Sequence, residues 1–157
     1  MRFIITALTT ATLALTCVAQ ADAKGGATGG TATGIGLGAT GDTQGLSLRR
    51  NQGVTSAQLV VGRWVGPAQL GVAVDGLYHF SPIVSGSLAD LALYAGLGVG
   101  VGVIDDFGFN ASGAIGLELN LVPLPLNFAL SWRPTLSIVP DTNLALQRFG
   151  GHVRFFF

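Results

Sequence analysis

His79 and His152 are the chain's two histidines, so general-base chemistry by an imidazole must run through one of them. A serine nucleophile needs such a histidine within hydrogen-bond reach and an acid behind it. The candidate serines are Ser81, Ser85 and Ser131. His79 and Ser81 fall on one face of an extended segment, a spacing common by chance. A lipid-modifying hydrolase embedded in a membrane wall would use a set of this kind, but lipopolysaccharide lies in the outer leaflet and this pair falls toward the opposite rim. Two histidines make a transition-metal ligand set improbable. The Gly-x-Gly runs at 34–38 and 96–102 would bind phosphate only with a helix N-terminus behind them, and both lie in strand-like sequence. The residues therefore assign no catalytic group, no metal, no cofactor and no small-molecule ligand, and the chain is read as a non-enzyme.

The remaining reactive side chains are ionic: Arg49, Asp75, Asp90, Glu118, Arg133 and Arg154. What they can do depends on the elements that carry them. Around Glu118, Phe109, Ala111, Gly113, Ile115, Leu117, Leu119 and Leu121 alternate with Asn110, Ser112, Ala114, Gly116, Glu118 and Asn120. A strand puts alternate residues on opposite faces. The next segment repeats the pattern, with Leu126, Phe128, Leu130, Trp132, Leu136 and Ile138 opposite Asn127, Ala129, Ser131, Arg133, Thr135 and Ser137. The same period runs through the chain in eight segments, roughly 33–40, 44–50, 54–64, 68–80, 88–103, 109–121, 125–138 and 143–157. Short clusters of Gly, Pro, Asn and Asp join them, which is turn chemistry. The phase blurs near Gly62-Arg63-Trp64, where a bulge is expected. Pro134 sits inside the seventh segment and cannot donate a ladder bond, so that strand must bulge or end there.

Almost half of the chain is hydrophobic and only 10% is charged, with net charge zero. That balance offers nucleic acid no electrostatic footprint. Arg2 and the apolar run Phe3 to Ala14 precede Ala19-Gln20-Ala21 and Ala21-Asp22-Ala23, the layout of a cleaved signal peptide. Residues 1–23 are read as that signal, 24–32 as a flexible tail and 33–157 as the folded domain. Cys17 lacks the leucine three places before it that a lipidation site needs, and cleavage would leave the mature chain without cysteine.

The two faces decide the class. One is Leu, Val, Ile and aromatic; the other is Gly, Ala, Ser and Asn with a few ions. A soluble barrel would clothe its outer face in Lys, Glu and Asp. Gly96, Gly98, Gly100 and Gly102 fit a tight lumen instead. The expectation is an all-β, eight-stranded antiparallel up-and-down transmembrane β-barrel in a Gram-negative outer membrane. Its lumen would hold an ion network of Arg49, Asp75, Asp90, Glu118, Arg133 and Arg154, with Glu118 and Arg154 as the favoured pair. Tyr78, Phe80, Phe155 and Phe157 would mark the periplasmic rim, and Phe109 and Trp132 the outer one. Eight strands leave no aqueous channel. A structural, envelope-integrity role follows by elimination. The alternatives are a lipid-modifying hydrolase, a narrow ion or solute channel, or a surface-interaction protein, whose loops here would be short.

The C-terminus resembles the signal by which outer-membrane barrels are assembled: Val153, Phe155 and Phe157 alternate up to a terminal aromatic. That resemblance implies outer-membrane lipid and the barrel assembly machinery as partners. The chain is also similar to a small family of uncharacterised bacterial outer-membrane β-barrel proteins. The resemblance lies in Gly34-Ile35-Gly36-Leu37-Gly38, Gly45-Leu46-Ser47-Leu48, Leu93 to Gly98, Pro134 to Pro140 and Gly150 to Phe157. It implies an OmpX-like architecture and location, and no activity.

Overall fold

The computed structural model describes residues 30–65, 68–104 and 106–157. The signal peptide expected at 1–23, with Cys17 in it, and the tail as far as residue 29 lie outside the described residues. Ten strands are present: β1 Thr31–Thr40, β2 Thr43–Gln52, β3 Thr55–Trp64, β4 Leu70–Ser85, β5 Ala89–Val103, β6 Gly108–Leu121, β7 Leu126–Trp132, β8 Thr135–Val139, β9 Asn143–Ala145 and β10 Phe149–Phe156. The pairs β7/β8 and β9/β10 are each one interrupted barrel strand, so the wall has eight strands. Every pairing is antiparallel, and β1 pairs with both β2 and β10, which closes the sheet. β1 opens at Thr31, two residues before the expected boundary.

Period-two alternation survives intact in the wall. Along β4, Gly71, Ala73, Asp75, Leu77 and His79 are buried while Leu70, Val74, Gly76, Tyr78 and Phe80 are exposed. The inward set is ionic or small and the outward set is mostly apolar. Leu37 and Leu97 are 70% and 76% exposed, while Arg49, Arg133, Arg154 and Glu118 head the fully buried side chains. The barrel is thus filled by polar groups and sheathed in hydrocarbon.

Three local readings change. No bulge lies at Gly62–Trp64, because β2 and β3 stay in register from Thr43↔Trp64 to Gln52↔Thr55. The phase looked blurred because Val60 and Trp64, both bulky and apolar, point inward while Arg63 points out. The turn expected over 81–87 is largely strand, since β4 runs to Ser85 with irregular register around Pro82. Pro134 does interrupt its strand, but the bulge lies on the neighbour. Toward β6 the register holds, with Gly113 N donating to Pro134 O at 3.0 Å. Toward the last strand, Arg133 and Pro134 face residues 146–148, and Arg133 N donates to Arg148 O at 2.8 Å.

The inward glycines make room for two large rings. A Cβ on Gly102 would lie 2.7 Å from Cδ2 of Trp64, and one on Gly71 2.9 Å from its Cε3. Gly100 and Gly108 approach the same indole from the remaining sides. Gly116 does this for Tyr94, whose ring a Cβ would meet at 2.6 Å. Real Cβ atoms do not approach as closely as those at Gly71, Gly102 and Gly116 would, so the rings fix these three as glycine. At the turns, Gly41 and Gly53 have φ of 59° and 60°, whereas the branched Ile104 holds φ 77°, a conformation that crowds its Cβ.

Candidate functional site

Among the described residues, reactive groups converge in the lumen. Near the end that carries Phe157, β2 points Arg49 inward. Its Nε donates to Asn51 Oδ1 at 2.8 Å, its Nη1 to Glu118 Oε2 on β6 at 2.6 Å, and its Nη2 lies 2.7 Å from His79 Nε2. The Phe156 ring lies 5.8 Å below the guanidinium. One turn of the lumen higher, Arg154 donates to Ser47 Oγ at 2.9 Å, to Asn127 Oδ1 at 3.2 Å and to Gln58 Oε1. Gln58 Nε2 in turn donates to Asp75 Oδ2 at 2.7 Å, and Arg133 donates to Asp75 Oδ1. At the far mouth, Asp42 pairs with Arg148 and accepts from Asn110 Nδ2 at 2.5 Å.

Of the six ionic residues expected in the lumen, five sit in this network. Glu118 does not pair with Arg154 as expected: its partner is Arg49, and Arg154 rests on three neutral side chains. Arg154 stands on β10 level with Ser47, both across from Gly36, two residues along from the level of Arg49 at Gly34. Asp90 is half-buried and takes part in none of the ion pairs found among the described residues. It lies opposite Ser85, where β4 has outrun its neighbour β3, so the lumen has already opened around it.

Ser56, His79 and Glu118 form a run that sequence spacing did not suggest. Ser56 Oγ lies 2.9 Å from His79 Nε2, and His79 Nδ1 lies 3.6 Å from Glu118 Oε2. The order matches a serine nucleophile, base and acid. Arg49 also occupies Nε2, so the lone pair that would take the serine proton is already engaged. The nucleophile and base are buried too. The set is a polar cluster that orders the lumen. His152 meets Ser47 and Gln58, each at 3.3 Å. None of Ser81, Ser85 and Ser131 pairs with a histidine among the bonds found for the described residues.

The aromatics stand on the outer wall. Tyr78 and Phe80 are about half exposed and stack edge to face at 5.2 Å. Phe155 and Phe157 project from the same rim across the barrel, four strands away, with Val153 one position higher, and the backbone of Phe157 exchanges bonds with Thr33. Phe109 is half-buried. Trp132 Nε1 donates to Leu146 O at 2.6 Å. Phe107 and Phe149 are also exposed near the opposite rim and escaped the sequence reading because both border loops. A groove of about 390 Å³ crosses the wall between Leu117, Leu119, Phe128, Leu130 and Val153, with Gly151 at its floor.

Asp42, Arg148 and the neutral acceptors Asn51, Gln58 and Asn127 were missed as network members. The last three carry a usable signal, since each is a large polar residue in the inward phase. Asp42 carries none, because it lies in a turn where alternation has stopped. Compared with known family models, curated proteins and solved structures, the chain matches none.

Proposed function

We propose that the chain is an outer-membrane β-barrel, exported by a cleaved signal peptide, whose occluded lumen serves envelope integrity rather than transport or catalysis. The observation that carries this reading is the inversion of the core. Arg49, Arg133 and Arg154 are at most 2% exposed, while Leu37, Leu97 and Leu130 stand open on the outside. In water each such leucine forgoes about 1.5–3 kcal/mol of burial. In a bilayer the same surface is solvated, and the closed sheet leaves no unpaired edge around most of its girth. Outer-membrane lipid and the barrel assembly machinery are the partners this implies.

The lumen arrangement supports occlusion. Trp64 stands across one half, and the Arg49–Glu118 level across the other. The experiment is paired. The purified chain is expected to need detergent or lipid to stay monodisperse and to give no conductance steps in planar bilayers. Stability in plain buffer removes the membrane reading, and discrete openings remove the occluded one. Cells lacking the protein are expected to leak periplasmic enzyme and to become sensitive to bile salts.

A further inference from the structure

The end of the barrel that carries Phe157 differs from the other in a way that alternation does not require. Its three turns, 53–54, 86–88 and 122–125, present Val54, Leu88, Val122 and Leu124, each more than half exposed. The hairpin above the middle turn adds Ile83 and Val84, also more than half exposed. No charged side chain occurs in any of these turns or in residues 80–88; the charges of this end outside the buried network, Arg50 and Asp90, stand on the strands, Arg50 on β2 outside the sector from β4 to β7 and Asp90 half-buried on β5. The opposite end carries Asp42, Arg63, Asp106, Asp141 and Arg148. The apolar turns also continue the outer wall without a polar break: Leu93 and Leu91 lead down to Leu88, and Leu119 to Val122 and Leu124.

We propose that this rim, in the sector from β4 to β7, is seated in the headgroup–acyl boundary of the bilayer and does not project into water. The inference rests on the membrane reading above and sets the depth of the barrel. A contiguous apolar patch marks an interaction surface, and an apolar surface continuous with a lipid-facing wall is matched by lipid. The depth follows from the backbone. Beyond His79, β4 has lost β3 as a neighbour, because β3 starts at Thr55 opposite Tyr78. An open strand edge is not tolerated in hydrocarbon, but it can be hydrated at the boundary, where amphipathic elements settle about 5–10 Å deep. Pro82 removes one edge donor, and the irregular register around it twists the edge away from its own kind. The stacked Tyr78 and Phe80 just above are the ring pair expected at that level.

The test uses bimane attached to single cysteines, in the full chain with Cys17 replaced by serine, in phosphatidylcholine vesicles. The sites are Leu88→Cys and Leu124→Cys on the rim, Leu97→Cys on the wall and Asp141→Cys on the far loops. Lipid brominated near the glycerol is expected to quench the two rim labels at least about twofold more than the label at 141, as for groups at the boundary. Aqueous iodide is expected to show the reverse order. If iodide reaches 88 and 124 while 97 remains lipid-quenched, the rim faces water and the inference falls alone. Shielding of 88 and 124 from both quenchers that grows with protein-to-lipid ratio would make a second copy the occupant, and the inference falls likewise. Iodide access at 97 overturns the membrane reading itself.

Discussion

Arg49 Nη1 and Glu118 Oε2 meet at 2.6 Å across the lumen, joining β2 to β6 over a sequence separation of 69 positions. Both side chains are fully buried, so neither can fall back on bulk water if the other is removed. That asymmetry makes the pair a sharp test of what fills the barrel.

Glu118→Ala leaves the Arg49 guanidinium without its counter-charge and is expected to cost about 3–5 kcal/mol, as for other buried pairs broken from one side. The double change Arg49→Met with Glu118→Leu is expected to recover most of that loss, because both desolvated charges disappear together. Urea unfolding in lipid vesicles, followed by tryptophan emission, measures both. Equal stability of Glu118→Ala and the parent would mean that water already satisfies the site.

Gly102→Ala is expected to destabilise by about 1–3 kcal/mol, because the new methyl enters the space of the Trp64 indole. Trp64→Leu, which empties most of that space, is expected to reduce the cost of the same glycine change without abolishing it, because Ala68 Cβ also stands 2.9 Å from the new methyl. The difference between the two backgrounds is the coupling that a double-mutant cycle reads.

Ile104→Gly is expected to raise the unfolding free energy by about 1 kcal/mol, and the midpoint with it, since a branched side chain at φ 77° stores strain that glycine lacks. The net gain is smaller than the strain because glycine gives the unfolded chain more freedom. An unchanged or lowered midpoint would show that the isoleucine side chain repays its backbone through contacts.

At the far mouth the two ends of one ion pair are expected to behave differently. Arg148 is partly exposed but Asp42 is buried, so Arg148→Ala leaves the carboxylate its bond from Asn110 alone and should cost about 1–3 kcal/mol. Asp42→Ala also strands Asn110, an unmet buried donor worth about 1–3 kcal/mol. Amide exchange at Val65, whose N–H bonds Asp42 O at 2.6 Å, should quicken more in the second variant.

Strand number, strand order and the direction of each face were readable because one physical cause fixes them all. A wall one residue thick forces period two, and every second residue then reports one environment. The glycine run from 96 to 102 reported small volume without saying what fills it. Leu77 fills the space at Gly96, Asp75 that at Gly98 and Trp64 that at Gly102; Trp64 was hidden because a large apolar ring in the inward phase looks like a loss of phase. Which ions meet was not readable, since that depends on relative strand heights. A slip of one level trades Arg154 for Arg49 as the partner of Glu118. Asp42 was invisible for another reason, because a turn carries no alternation from which direction could be read.

The register pairs that close the sheet run from Gly34↔Phe156 to Ala39↔Gly151, between the first and last strands of the described residues. Contacts of such sequence separation form slowly, because a long loop must close before any of them is gained. Until β10 arrives, β1 is a bare template able to recruit any passing extended segment. Correct closure therefore depends on β1 being kept from such pairing for as long as β10 is missing.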